Sequence, residues 1–473
     1  MNDTQVLSGK WTVGHEQEAF DGNLHVNESE RFITLEVLIP MMQEKKTTTF
    51  PYRGKIHFIT GTLLTGAKVL LYDCETGSAH HQVPLYTRIY IYARYAFWGL
   101  SADCFEQPLF KGASVDFGDI LNWYDLCRYE DLHEKDRSQG YLWKTDGVLS
   151  FAIDDNLSLA FSSSTNGYFG KIYKRELTLK QAVWVNFNYK QDVPWEVILQ
   201  DIQKVKYLVG LGLNQRIEID SIKYKHQSIF TVISEQSGER YWNEADVLLG
   251  TGKVEPTQHR EKYEFLFGFK DFLTIENGIK KWFHSYDRLK PILDLYYSVF
   301  GQINAVETAF LCLMQALETY HARFVASTIG QYKKRVEKLV SVFPDEETKE
   351  LWSRFLLDEG QKKSKGILLK SRLSDLYFAD GHLPLMRTGD LPPEIIQKIT
   401  DSRNYYTHYE EKKKDLAYRP DELLLMNGYL ACLLRYYFLC YVGFDPEFAK
   451  KAIDDEVTAL HRYERTEKAI KQG

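Results

Sequence analysis

Arg403, Asn404 and His408 are the residues whose types and spacing offer the most coherent chemistry in this chain. A histidine titrates near neutrality, so it both takes and gives a proton. An arginine is always charged, and its planar fork suits two phosphate oxygens. On a helix, Asn404 and His408 share one face, whereas Arg403 and His408, five residues apart, diverge by roughly 140°. A single helix therefore points the two groups around a cleft rather than at one atom. Two copies facing each other across a two-fold axis bring both sets around one phosphate, since such an interface is self-complementary. The spacing thus leads to an expected site shared between two protomers.

The elements around these residues decide what the spacing is worth. An Arg and a His five residues apart are expected by chance about 0.6 times in a chain of this composition. A second instance does occur, from Arg128 to His133, in an aromatic stretch without helical period. Arg403 instead follows Leu391-Pro-Pro-Glu-Ile-Ile-Gln-Lys-Ile-Thr400. There Pro392 and Pro393 suit a first helical turn, and Ile395, Ile396 and Ile399 mark one buried face.

That segment resembles the HEPN superfamily, whose ribonucleases carry an Arg and a His separated by four to six residues, commonly with a polar residue directly after the Arg. Arg403, His408 and Asn404 match those positions. An aromatic-rich β region followed by such a helical domain is similar to the ApeA-type antiphage proteins. The HEPN resemblance covers roughly residues 290–465. It implies an endoribonuclease that acts without a metal or other cofactor. The RNA 2′-OH attacks its own phosphodiester, leaving a 2′,3′-cyclic phosphate and a 5′-OH. His408 then moves the proton, Arg403 stabilises the charge building on phosphorus, and Asn404 holds His408 or a phosphate oxygen. The resemblance further implies abortive infection, with the β region as a restraint answering a phage-derived trigger or inhibitor. In related toxins a Tyr lies two residues after the His. Here Tyr409 lies one after and Glu410 two after, so that regulatory scheme is not implied. A non-catalytic alternative is an HEPN-like dimerisation module carrying a β-sandwich ligand binder.

With 473 residues, several domains are expected. We read residues 1–280 as a β-rich sensor or regulatory region, with a division near 146. Residues 285–465 read as an all-α bundle and 466–473 as a tail, giving an α+β multidomain chain with a sandwich or jelly-roll-like first half. Residues 88–94 are the cleanest strand, with Ile89, Ile91 and Ala93 on one face and Arg88, Tyr90, Tyr92 and Arg94 on the other. Stripes at helical spacing run through Ile292, Leu295, Tyr296 and Val299, and through Phe310, Leu313, Leu317 and Tyr320. Helices are predicted over 282–300, 305–325, 332–343, 346–357, 367–378, 393–409 and 421–442.

The net charge of −6 argues against a general affinity for nucleic acid. RNA binding then needs local basic surface. The available runs are Lys362, Lys363, Lys365, Lys370 and Arg372, and Lys412 with Lys413. Six cysteines without a Cys-x2-Cys pair suit free thiols in a reducing cytosol. The start of the chain has no apolar leader, and the apolar stretch 429–444 contains Arg435 and reads as a buried helix, so a cytoplasmic protein without membrane contact is expected. Gly250-Thr-Gly-Lys253 lacks the flanking residues of a phosphate loop and reads as a turn.

Overall fold

The computed structural model describes residues 4–13, 19–40, 54–82, 86–100, 108–133, 139–168, 178–234, 239–299, 305–378 and 392–472. The chain divides into two compact units: residues 1–209 with 217–260, and residues 210–216 with 261–473.

Alternating sequence builds the first unit. Its first six strands are β1 (Gln5–Val13), β2 (Ala19–Asn27), β3 (Phe32–Pro40), β4 (Lys55–Leu63), β5 (Lys68–Gln82) and β6 (Tyr86–Trp98). They pair antiparallel in the order β6-β3-β2-β1-β4-β5, and β5 pairs back onto β6, closing a six-stranded barrel. Closure satisfies both ladder edges and leaves an interior that inward side chains must fill. Trp11, Leu24, Leu35, Val37, Ile59, Leu71, Ile89 and Ile91 fill it, with no exposed surface. The face predicted from the period-2 run at 89–93 is therefore the barrel's inner face. On the outer face, Arg88 pairs with Glu36 at 2.9 Å and Arg94 with Asp73 at 3.3 Å.

The sheet continues past the barrel through β7 (Leu109–Phe117), β10 (Leu149–Ala152), β11 (Leu157–Tyr168), β12 (Thr178–Pro194), β13 (Ile219–Ser234) and β14 (Glu239–Leu249), joined to β6 by β14. β8 (Cys127–His133) and β9 (Gln139–Thr145) form a separate hairpin, so the second Arg-x4-His stretch is a strand. The strand-rich reading holds, and the sandwich-like part takes the form of a twelve-stranded sheet with a barrel at one end. Helix α1 (Trp195–Gly212) buries Trp195, Ile198, Ile202, Val205 and Leu208 at helical spacing. The Trp195 ring meets Phe97 at 4.9 Å and Phe110 at 5.1 Å. The Gly250-Thr-Gly-Lys253 stretch is the bend after β14, with Gly252 at a φ of 78°.

The second unit is helical: α2 (Gly278–Val299), α3 (Val306–Tyr320), α4 (Ile329–Ser341), α5 (Glu346–Leu356), α6 (Leu369–Phe378), α7 (Pro392–His408), α8 (Pro420–Val442) and α9 (Pro446–Gln472). Phe310, Leu313 and Leu317 of α3 are fully buried, as their spacing predicts. On α2 the buried face is Leu289, Ile292, Leu293, Tyr296 and Tyr297, while Leu295 and Val299 are only half-buried. The apolar residues of α2 cover more than one stripe, and packing selects the one turned from the predicted line. The predicted helix over 305–325 breaks at Tyr320 into a π-turn, His321–Val325, in which Ala326 N–H donates to His321 C=O at 2.9 Å. α8 is long and apolar enough to cross a membrane, yet it forms the centre of this unit. Leu430, Leu433, Leu434, Phe438 and Leu439 have no exposed surface. Its Arg435 is buried, donating from Nε to Tyr296 Oη at 2.5 Å and pairing with Glu456 of α9. α9, absent from the helices predicted, docks through Ala449, Ile453 and Val457 at i, i+4, i+8.

Candidate active site

Helix α7 begins at Pro392, where a missing N–H costs nothing. Ile396 and Ile399 are fully buried, and Ile395 sits at the edge of that face. The same face continues to Ser402 and Tyr406, which bind the returning chain. Ser402 Oγ donates to Lys398 C=O at 2.7 Å and accepts from Tyr418 N–H at 2.8 Å. Tyr406 Oη donates to Tyr418 C=O at 2.7 Å. Burial, with several nearby acidic and phenolic groups, pushes the Tyr406 hydroxyl up to about 12. These anchors fix the rotation of α7, and helical geometry turns Arg403 and Asn404 away from the fully buried stripe.

Arg403 is half-exposed there. Its Nη1 donates to Asn404 Oδ1 at 3.4 Å, and its Nη2 lies 3.9 Å from Glu318 Oε2 of α3. Both side chains of that ion pair are more than a third exposed, which makes it worth about 0–1 kcal/mol. Glu318 therefore holds Arg403 only weakly. His408 is the last residue of α7 and is exposed, and its ring makes no hydrogen bond to a described residue. The helix stops because Tyr409 takes a left-handed conformation, φ 50°. Downstream, Lys413 binds the Glu410 carboxyl at 2.9 Å and, with lesser help from His408, lowers its pKa. Asn404 is thus joined to Arg403 rather than to His408, and Arg403 and His408 share no contact within the chain.

The basic residues do not form one strip. Lys362 pairs with Glu359 at 3.3 Å and Lys370 with Asp358 at 3.5 Å, while Lys363 and Lys365 are exposed. Between them Gln361, fully buried, binds Gly366 C=O and Leu368 N–H and bends the chain. Lys412 is exposed and Lys413 is engaged with Glu410. Arg372 leaves the exposed run altogether and turns inward onto His321.

Inward of Arg372 lies a network that sequence reasoning missed. His321 has no exposed surface; its Nε2 meets Asp375 Oδ2 at 2.9 Å, and its Nδ1 accepts from Arg372 Nη1 at 3.0 Å. Arg335 Nε donates to both oxygens of Asp375, each at 2.9 Å. Acceptance at Nδ1 requires the proton on Nε2, so this imidazole is neutral. Burial lowers its pKa further than the adjacent Asp375 raises it. No spacing rule joins residues from the π-turn, α4 and α6. The available signal was an ionisable Asp375 flanked by Leu373, Leu376 and Tyr377 in an otherwise core-facing helix.

Two family models match this chain. That described as ApeA N-terminal domain 1 matches residues 7–282, and that described as Apea-like HEPN matches residues 311–448, from within α3 to the first turn of α9. No curated protein and no solved structure matches it. Arg403, Asn404 and His408 all fall in the second match, and the first alone spans more than half of the 473 residues, so the chain belongs to the ApeA family and carries an Apea-like HEPN domain.

Proposed function

We propose that this protein is a metal-independent endoribonuclease that acts in antiphage defence by abortive infection. HEPN domains commonly dimerise and bind RNA, and the matched domain supports a nuclease role in such defence. In the proposed reaction a new bond forms between the RNA 2′-oxygen and phosphorus, and the bond from phosphorus to the 5′-oxygen breaks. His408 takes the 2′-hydroxyl proton and delivers it to the departing 5′-oxygen. Arg403 meets the charge that develops on the phosphorane, and Asn404 aligns the guanidinium. The products are a 2′,3′-cyclic phosphate and a 5′-OH. DNA, having no 2′-OH, is not cut.

The observation that carries this reading is the state of the three side chains. Arg403 is half-exposed with a weak, displaceable partner, Asn404 is bonded to it, and His408 is exposed at the helix end. The divergence of Arg403 and His408 on α7 supports a site completed by a second copy. Residues 1–280 serve as the sensor or restraint, released by a phage-derived trigger, and the enzyme works in the cytoplasm on RNA without a cofactor. The proposal is tested by mixing inactive Arg403→Ala and His408→Ala proteins. Subunit exchange restores up to one intact site per mixed dimer if the site is shared. Failure of the mixture under conditions where exchange is demonstrated contradicts a composite site, and cleavage by the Arg403→Ala protein alone contradicts the catalytic assignment.

A further inference from the structure

His321 and Arg372 are built with more precision than packing requires. Two helices, α4 and α6, converge on the buried imidazole of the π-turn, whose free nitrogen does one thing: it accepts a hydrogen bond from Arg372 Nη1. The second bond of Arg372 also leaves from Nη1, to Ala326 C=O at 3.4 Å. Its side-on edge, Nε with Nη2, therefore makes no hydrogen bond to a described residue, and Nε is shielded from water. That edge is the one an arginine uses to grip two oxygens of a carboxylate or phosphate. Other shielded side-chain donors, Gln181 Nε2 and Trp195 Nε1 among them, also lack a partner among the described residues, so this edge gains meaning only from the charge that acts on it.

Glu318 is the carboxylate whose charge acts on Arg372. Burial lowers the pKa of Arg372, and the negative charge of Glu318 acts in the opposite direction. Glu318 lies three residues before His321, in the last turn of α3 that leads into the π-turn, and it is also the carboxylate 3.9 Å from Arg403. One carboxylate thus acts on two arginines, one from α6 and one from α7, lying too far from Arg403 for a hydrogen bond and making none with Arg372.

We propose that Arg372 is a second phosphate-binding arginine of this site, positioned by His321 and screened by Glu318 until an RNA backbone displaces that carboxylate. The proposal rests on the ribonuclease reading of the Arg403 site and extends it. Arg403 takes the scissile phosphate, and Arg372 takes a neighbouring one along the strand. The exposed lysines at 362, 363 and 365 contribute only general attraction.

The test uses full-length protein carrying His408→Ala, so that RNA is bound without being cut, with a short fluorescein-labelled single-stranded RNA of mixed sequence as probe. Arg372→Met and Glu318→Gln are added singly and together, and the dissociation constant is measured across a salt series. Loss of one charged phosphate contact weakens binding by about tenfold. It also reduces the magnitude of the salt slope by roughly 0.7. Glu318→Gln tightens binding, and part of that gain disappears when Arg372 is already Met, a non-additivity that a purely structural arginine does not produce. Equal slopes in parent and Arg372→Met, or a Glu318→Gln gain of the same size in both backgrounds, overturn the proposal. If Arg372→Met fails to fold, an unchanged affinity in Glu318→Gln overturns it alone. Parent protein with no RNA affinity at all contradicts the ribonuclease reading instead, which keeps the two failures apart.

Discussion

Glu318 Oε2 stands 3.9 Å from Arg403 Nη2, across two helices, in a contact too long for a hydrogen bond and too exposed to add much stability. An arginine held this loosely is available to an incoming anion, which makes the chemistry of its fork, rather than its charge alone, the quantity to probe.

Arg403→Lys keeps the charge and loses the planar pair of donors. Cleavage is expected to fall by about 10²–10³-fold, the usual cost of removing one donor aimed at developing charge. The denaturation midpoint should stay within about 1 kcal/mol of the parent, because the Glu318 contact is half-exposed. Parent-like RNA cleavage by the lysine variant excludes a bidentate role for Arg403.

Ser402 tests whether the site's orientation depends on the anchored return loop. It has no exposed surface and links Lys398 C=O to Tyr418 N–H. Ser402→Ala leaves that N–H without its acceptor and should cost about 1–3 kcal/mol in urea unfolding. An unchanged midpoint means that the loop after α7 is held by Tyr406 alone.

The buried His321 predicts a pH dependence with a definite sign. Its pKa is lowered in the folded protein, chiefly by burial, so the unfolded chain binds the proton more readily. The stabilisation is complete above the ordinary histidine pKa of about 6.5 and is lost as pH falls below it. One proton contributes a slope of at most about 1.4 kcal/mol per pH unit. Unfolding measured between pH 5 and 7.5 should therefore be steeper for the parent than for His321→Gln. Parallel curves contradict a neutral buried imidazole.

Gly61 tests the barrel. A Cβ at this position lies 2.2 Å from Trp11 Cζ3, inside van der Waals contact with a fully buried ring. Gly61→Ala should cost about 1–3 kcal/mol, read from the tryptophan fluorescence transition. A neutral effect means that Trp11 does not fill the barrel as described.

The parts legible in the sequence were those with local causes. Ile89, Ile91 and Ala93 announce a strand because alternation is a property of neighbouring residues, and the Pro392 to Ile399 stretch announces a helix for the same reason. Closure of the barrel depends on β5 returning to β6, a pairing that no local period specifies. α9 went unseen because Ala449, Ile453 and Val457 are a thin stripe among charged residues. The π-turn after Tyr320 holds the buried His321, and the His321–Asp375–Arg335 contacts join that turn to two separate helices. Arg372 shows the limit most clearly. Its place in a run of lysines suggested basic surface alone, whereas its side chain turns inward to bond His321.

The most direct test of the central claim is incubation of the purified full-length protein with total RNA in EDTA, beside His408→Ala, followed by chemical analysis of the fragment ends. The account predicts fragments ending in 2′,3′-cyclic phosphate and 5′-OH from the parent and none from the variant. Equal cutting by both proteins, or fragments carrying a 5′-phosphate, contradicts it.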